Sequence, residues 1–184
     1  MEWDNFDYAR IKEMREKYIP LKEVVSFIQL NNGENLIDIG AGDGHYSIAF
    51  ASAFPKSKIT ALEPSTNGVN LITKRIENSG VSNVKVIKAD VCTLKDFSPY
   101  SVVFFSNVFH DLPCREELIR SISKTIAAKS EAIFIEFSKN AIHGPPQEIR
   151  ISEKELEGIM SKNGARLLGS KHFEINYMHK YIFG

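Results

Sequence analysis

Short apolar runs alternate along the chain with longer stretches in which apolar residues recur every three or four positions. A short apolar run bounded by turn residues is typical of a buried strand, and the wider spacing is typical of a helix. The pattern predicts five strands separated by helices. These strands are 36–39, 58–62, 84–87, 101–105 and 131–137.

Helices are predicted between the strands and ahead of the first one. Pro20, a residue well suited to a first helical position, opens one of them, and Gly33 follows its end. Ser152 and Glu155 have the spacing of a capping box at the start of another. The predicted helices are 6–18, 20–30, 45–54, 66–79, 115–127 and 152–162.

The last part of the chain has a different pattern, because strands 166–173 and 175–183 follow one another closely. A short connection permits an antiparallel hairpin, whereas a parallel pair needs a long crossover. The earlier alternation of strand and helix favours a parallel sheet with helices on both faces. The predicted fold is therefore α/β, a doubly wound three-layer sandwich whose mostly parallel seven-stranded sheet ends in an antiparallel β-hairpin.

Length and charge limit the domain count and the partners. A chain of 184 residues suits one domain, predicted at 20–184, preceded by an N-terminal helical segment at 1–19. The 23 basic and 23 acidic residues cancel, which disfavours nucleic acid as a partner. No apolar run reaches the roughly 20 residues of a membrane span, and no signal peptide is evident, so we expect a cytoplasmic protein. The oligomeric state stays open.

The two cysteines, Cys92 and Cys114, lie outside any Cys-x-x-Cys pair and have no paired histidine nearby. Zinc sites and disulfide frameworks usually show such spacings. The sequence therefore predicts two free cysteines, no disulfide and no metal site.

A glycine-rich turn directly follows the first strand and precedes a helix. It reads Gly40-Ala41-Gly42-Asp43-Gly44. Glycine lets the backbone turn sharply and lets a ligand approach closely, although a plain tight turn is the alternative. The dinucleotide fingerprint is G-x-G-x-x-G, whereas the third glycine here comes one position early. This spacing favours a nucleotide-like ligand without a pyrophosphate.

Acidic residues end the next two strands. Glu63 follows the second strand, where a carboxylate can accept hydrogen bonds from both ribose hydroxyls, and Asp90 follows the third. The alternative for Asp90 is a loop carboxylate or a helix cap. Ligands of open α/β sheets bind at the carboxyl ends of the strands, so the three motifs predict one binding edge.

With these motifs in order, the chain resembles the class I S-adenosylmethionine-dependent methyltransferases, which have a Rossmann-like fold. The resemblance rests on segments 36–44, 61–64, 88–91 and 107–112, and it covers roughly 20–183. It implies S-adenosylmethionine as the cofactor and S-adenosylhomocysteine as the product. A terminal hairpin also fits, since the family inserts an antiparallel strand beside the fifth. A weaker similarity over 136–164 suggests the small-molecule group of the family.

The resemblance also implies roles for individual residues. Three groups are implied to hold the methionine portion, the ribose and adenine, and the region beside the sulfonium. They are Asp38, Gly40, Ala41 and Gly42; Glu63, Pro64 or Ser65, Asp90 and Val91; and Ser106 and Asn107. The segment 1–19, with Trp3, Phe6, Tyr8 and Tyr18, is a candidate lid over the cofactor or a helix packed on the surface.

Methyl transfer from a sulfonium is a direct displacement, so the protein mainly aligns the acceptor with the methyl group. A phenol, hydroxyl or protonated amine also benefits from a base, and histidine titrates near neutral pH. His110, after the fourth strand, and His143, after the fifth, are the two candidates. Each has a structural alternative as a loop histidine.

The leading functional hypothesis is a methyltransferase of a small molecule. The Asn-Pro-Pro-Tyr type signature of amino-group methylation is absent, since 106–109 reads Ser-Asn-Val-Phe. The alternatives are a non-catalytic S-adenosylmethionine-binding sensor or subunit, methylation of a macromolecule through a partner, and, more weakly, a dehydrogenase.

Overall fold

A computed structural model describes residues 7–184 of the chain, so Trp3 and Phe6 of the predicted lid lie outside the described residues. Six α-helices and seven β-strands alternate in this part, close to the predicted order. The helices are α1 Tyr8–Tyr18, α2 Leu21–Phe27, α3 His45–Ala53, α4 Thr66–Ser79, α5 Arg115–Thr125 and α6 Glu153–Lys162. The strands are β1 Asn35–Ile39, β2 Lys58–Glu63, β3 Val84–Lys88, β4 Val102–Ser106, β5 Glu131–Phe137, β6 Ala165–His172 and β7 Asn176–Phe183.

The first of two compact units extends to Val91 and contains β1, β2 and β3. β2 pairs in parallel with both neighbours, so the strand order is β3-β2-β1. In both β1 and β2, every residue after the first is buried. This is the pattern expected for strands whose two faces are both covered. The residues that follow these strands share one edge of the sheet.

Helix ends in this unit follow local sequence signals. The Ser65 hydroxyl accepts a hydrogen bond from the Gly68 N–H and caps α4, and Gly80 ends α4 with a left-handed φ of 69°. α2 is shorter than predicted, because the backbone becomes extended at Ile28. Pro20, predicted as the first helical residue, is the N-cap of α2, so the helix begins one position later than predicted. None of the described helices has the length and apolar character that crossing a bilayer requires.

The second unit runs from Cys92 to Gly184 and contains β4 to β7. β4 and β5 are parallel, whereas β7 is antiparallel to both β5 and β6, which gives the order β4-β5-β7-β6. The final strand therefore lies between β5 and β6. The predicted fold class, a mostly parallel seven-stranded α/β sheet that ends in an antiparallel hairpin, is confirmed.

Aromatic packing positions the turn after β4. The Phe105 and Phe134 rings stack with centroids 4.6 Å apart, and the Phe109 ring meets both of them edge-on at 5.5 and 5.0 Å. All three side chains are fully buried. Phe109 begins a short 3-10 helix, Phe109–Asp111, so its burial holds the next residue, His110, in place.

The prediction of two free cysteines is wrong. Cys92 and Cys114 form a disulfide with their Cα atoms 5.7 Å apart. Cys92 lies in the 3-10 helix Val91–Thr93, and Cys114 is the N-cap residue of α5. Spacing along the sequence did not reveal the bond, because the fold brings together two residues 22 positions apart.

Candidate active site

The glycine turn has the backbone that its sequence predicts. Gly40, Gly42 and Gly44 all have left-handed φ values, of 65°, 58° and 77°. L-amino acids with a side chain rarely adopt this conformation, so all three positions favour glycine. The Ala41 N–H donates to the Leu62 carbonyl at 3.0 Å, which ties the turn to the end of β2.

The carboxylate of Glu63 bridges this turn and the start of α4. Its Oε2 accepts from the Gly42 N–H at 2.9 Å, and its Oε1 accepts from the Ser65 N–H at 3.0 Å. The residue is only 5% exposed. Two backbone donors therefore fix the orientation of the carboxylate, which keeps further lone pairs for hydroxyl donors.

Gly68, which the sequence analysis did not single out, makes this arrangement possible. A Cβ atom at this position would lie 2.6 Å from Glu63 Cγ and 2.8 Å from both the Gly42 carbonyl oxygen and the Ser65 Oγ. Such distances are too short for carbon contacts, so the helix can approach the carboxylate only with glycine here. The sequence carried one signal for this role: glycine is unfavourable inside a helix, so a glycine in the first turn of a predicted helix suggests that a side chain would not fit there.

Helix α1 contacts the same carboxylate through Tyr8. The Tyr8 hydroxyl lies 2.8 Å from Ser65 Oγ and donates to Glu63 Oε1 at 3.4 Å. Burial, together with the Glu63 charge, raises the pKa of Tyr8 to about 12, so the phenol stays protonated. Tyr8 thus contacts the carboxylate that the sequence predicts as the acceptor of the ribose hydroxyls.

Asp43, inside the glycine turn, holds two arginines. Arg15 of α1 donates to both carboxylate oxygens at 3.1 Å, and Arg75 of α4 donates to Oδ2 at 2.5 Å. Burial disfavours the charged carboxylate, but the two guanidinium groups outweigh burial and lower the pKa of Asp43. This bidentate pair fastens α1 to the turn, a role that the sequence did not reveal.

Asp38, at the penultimate position of β1, is almost fully buried. Its Oδ2 accepts a 2.6 Å hydrogen bond from the Ser47 hydroxyl of α3. Burial raises the pKa of Asp38 to about 7, despite the opposing effect of this hydrogen bond. The group therefore changes its charge near neutral pH, where a nearby cation would favour the ionised form.

The other predicted cofactor residues of the first unit lie at the ends of β2 and β3. Pro64 is partly exposed, Asp90 is exposed, and Val91 is buried at the start of a 3-10 helix. Asp38 and the glycine turn lie at the end of β1, Glu63 and Pro64 at the end of β2, and Asp90 and Val91 after the end of β3. These three strands are neighbours in the sheet.

In the second unit, Ser106 ends β4, and Asn107 follows with a left-handed φ of 52°. Asparagine adopts this φ more readily than most residues with a side chain, and left-handed positions are frequent at functional sites. The Asn107 N–H donates to the Ile135 carbonyl at 2.7 Å, and its Oδ1 accepts from the Asn176 amide at 2.9 Å. Both contacts fix the turn after β4.

His110 pairs with Glu136, a partner that the sequence analysis missed. His110 Nδ1 lies 2.5 Å from Glu136 Oε2, and Glu136 Oε1 accepts from the Phe109 N–H at 2.9 Å. Glu136 is fully buried in β5, and the His110 side chain is 3% exposed. Nε2, on the other side of the ring, lies 3.5 Å from an Asp111 carboxylate oxygen.

Two opposing effects act on the His110 imidazole. Burial disfavours its charged form, but the hydrogen bond and charge of Glu136, helped by Asp111, outweigh burial and raise the pKa of His110. The pair has the geometry of a histidine that a carboxylate orients for proton transfer. His143, in contrast, is exposed in the loop after β5.

Comparison with known proteins identifies the family. Residues 30–176 match the model of a family described as "Methyltransferase domain". Over 108 residues, the chain is 28% identical to an (S)-coclaurine N-methyltransferase of Thalictrum flavum subsp. glaucum, a match that covers 59% of this chain and 30% of that enzyme. This chain therefore spans less than a third of that relative.

A second relative is covered more completely. Over 160 residues, the chain is 24% identical to ribosomal RNA small subunit methyltransferase G of Alteromonas mediterranea, which covers 85% of this chain and 72% of that enzyme. The crystal structure of a SAM dependent methyltransferase from Aquifex aeolicus superposes with a TM-score of 0.83 at 22% identity, over 98% of this chain and 100% of that one. With the family match over most of its length, the chain belongs to the methyltransferase-domain family, within the class I S-adenosylmethionine-dependent methyltransferases.

Proposed function

We propose that the chain is an S-adenosylmethionine-dependent methyltransferase that methylates a small molecule. The observation that carries the proposal is the Glu63 carboxylate, held between the Gly42 and Ser65 N–H groups beside a glycine turn. The residues fit the cofactor, because the turn has no Cβ at Gly40 or Gly42, and Glu63 is oriented to accept from a ribose.

When bound, S-adenosylmethionine supplies a methyl group already activated on a sulfonium. In this proposal Asp38, Gly40, Ala41 and Gly42 hold its methionine portion, and Glu63 accepts from its ribose hydroxyls. Pro64, Asp90 and Val91 flank the adenine. Ser106 and Asn107 lie beside the methyl group. The chain then has to bind the acceptor in line and remove its proton.

His110 is the proposed base. Glu136 holds its Nδ1 side, so Nε2, 3.5 Å from an Asp111 carboxylate oxygen, is the atom that takes a proton from a hydroxyl, phenol or amine. The negative charge of Glu136 stabilises the imidazolium that forms. His143 is exposed in the loop after β5, whereas His110 is buried and held by a buried carboxylate, so His110 is the stronger candidate of the two.

The N-terminal helix α1 is proposed as a lid. Arg15 fastens it to Asp43, and the Tyr8 hydroxyl donates to Oε1 of Glu63, the carboxylate proposed to accept from the ribose. Cofactor entry therefore requires Tyr8 to leave Glu63, while the Arg15 contact can keep the rest of α1 in place.

A small-molecule acceptor is supported by the formal charge of zero and by the (S)-coclaurine N-methyltransferase among the relatives. The ribosomal RNA methyltransferase relative favours a second candidate, an RNA acceptor. Transfer of a labelled methyl group to extracted metabolites, RNA and protein, measured side by side, separates the two. Label in the metabolite fraction alone supports the proposal, and label in RNA alone supports the second candidate. Tight cofactor binding without any transfer favours the non-catalytic sensor or subunit.

Gly68→Ala is expected to weaken the binding of S-adenosylhomocysteine by about tenfold or more, because the new methyl group would push Glu63 away from the Gly42 N–H. Overpacking of this kind also costs about 1–3 kcal/mol of stability. Calorimetric titration measures the affinity, and thermal unfolding measures the stability. The matched control is Gly158→Ala in α6, where a Cβ would meet no atom within 4 Å. This control should keep the affinity, and an equal loss in both variants would contradict the account.

Cofactor affinity is expected to fall by about tenfold between about pH 7 and about pH 5.5, because Asp38 becomes protonated there and loses its attraction for the cofactor ammonium. The sign follows from the raised pKa: below about 7 the buried carboxyl is mostly neutral, and binding a cation must expel its proton. Calorimetry at both pH values measures this change. Asp38→Asn should bind more weakly at about pH 7 and lose the pH dependence, whereas an unchanged dependence would remove Asp38 from the ammonium site.

A further inference from the structure

A triad of potential metal ligands in the second unit consists of residues to which the proposed methyl transfer assigns no role. Glu153 is the first residue of α6, His172 is the last residue of β6, and His179 lies in β7. Glu153 Oε2 is 2.9 Å from His172 Nε2 and 2.8 Å from His179 Nε2. One ligand atom from each side chain can be chosen so that all three lie within 4.8 Å of one another.

Strand register explains how two histidines seven positions apart come together. β6 and β7 are antiparallel, and His179 is opposite Ser170, two residues before His172. Residues two apart on a strand share a face, so the histidines are diagonal neighbours on one face of the hairpin. The first turn of α6 then brings Glu153 to both rings.

We propose that Glu153, His172 and His179 form a binding site for a divalent transition metal, with Zn²⁺ as the best match. Two imidazole nitrogens and one carboxylate oxygen are a common zinc ligand set, with water as the fourth ligand. Tetrahedral bonds of about 2.0–2.1 Å separate ligand atoms by about 3.3 Å. The carboxylate oxygen therefore needs to move about half an ångström away from each imidazole nitrogen. The two nitrogens already lie within 4.8 Å of one another.

The surroundings of His179 suit a metal ligand. Its other ring nitrogen, Nδ1, lies 3.0 Å from the hydroxyl oxygen of the buried Tyr181. A histidine that binds a metal through one ring nitrogen usually donates the N–H of the other nitrogen to an outer partner. The Tyr181 hydroxyl can accept that hydrogen bond when metal is bound, and it can donate to Nδ1 when metal is absent. The same hydroxyl therefore serves both states.

Exposure and charge also favour a cation that enters from solvent. The His172 side chain is 58% exposed, whereas that of His179 is 4% exposed, so the site has one open and one fixed side. Glu157, one helical turn after Glu153, adds a second negative charge that acts on His179 and Tyr181. A bound ion would tie the start of α6 to the terminal hairpin.

The test is a calorimetric Zn²⁺ titration of the full chain after treatment with a chelator, alongside thermal unfolding with and without Zn²⁺. The wild type should bind one ion per chain and unfold at a higher temperature with Zn²⁺. His172→Gln and Glu153→Gln should each lower the affinity by more than the roughly 10–100-fold typical of losing an outer partner. Because both residues are substantially exposed, the variants should fold normally without metal.

The matched control is His143→Gln, the same substitution at another exposed histidine, which should leave Zn²⁺ affinity unchanged. Two results would overturn the proposal: no Zn²⁺ binding by the folded wild type, or binding by His172→Gln as tight as that of the wild type. Co²⁺ gives an independent readout, since a four-coordinate site should give an intense visible absorption that His172→Gln lacks.

Discussion

Glu63→Ala is expected to weaken S-adenosylhomocysteine binding by about 10- to 100-fold. Hydrogen bonds to a charged group contribute about 1.5–3 kcal/mol, and this substitution removes the acceptor of the ribose hydroxyls together with the anchor of the Gly42 and Ser65 N–H groups. Calorimetric titration measures the loss.

Tyr8→Phe is the matched variant for this experiment, because it removes the hydroxyl that lies on Glu63 Oε1 and leaves the carboxylate unchanged. Its affinity should be equal to that of the wild type or higher. Thermal unfolding of both variants separates a local change from a loss of fold. An unchanged affinity in a folded Glu63→Ala protein would mean that the ribose binds elsewhere.

His110→Gln is expected to lower the rate of methyl transfer to a protonated acceptor by about 10²- to 10⁴-fold, the usual contribution of a positioned base. Cofactor affinity should stay near that of the wild type. Single-turnover transfer of the labelled methyl group, with the acceptor found in the fractionation experiment, measures the rate. If His143→Gln loses the activity and His110→Gln keeps it, the base is His143.

The pH profile separates a base from a histidine that only supports the fold. Only neutral His110 can accept a proton, so the rate should rise as pH increases through the raised pKa of His110. Glu136→Gln removes the charge that favours the imidazolium, so the midpoint of this rise should move to lower pH. A midpoint that is identical in both proteins would contradict the proposed role of the pair.

Much of the fold was predictable because the local signals agree with each other. Apolar runs, the glycine turn and the short connection before β7 each point to the same sheet, and the predicted capping box at Ser152 and Glu155 is present. The position of Glu63, at the end of β2 beside the glycine turn, was predictable for a similar reason. The carboxyl ends of parallel strands meet at one edge of the sheet, so a carboxylate that ends one strand is expected beside a glycine turn that follows the neighbouring strand.

Long-range pairs were not predictable in the same way. Glu136 lies 26 positions from His110, and a glutamate in a mostly apolar strand carries no mark of its partner. The disulfide and the triad of Glu153, His172 and His179 also depend on register and on helix position, which the spacing of residues along the chain does not encode. Gly68 was missed because its importance comes from the closeness of Glu63.

The most direct test of the central claim is a calorimetric titration of the purified chain with S-adenosylhomocysteine and, separately, with NAD. The account predicts saturable binding of S-adenosylhomocysteine at one site per chain and no binding of NAD. Binding of NAD without binding of S-adenosylhomocysteine would contradict it. The glycine turn and Glu63 would then bind a dinucleotide, as in a dehydrogenase, and not the cofactor of a methyltransferase.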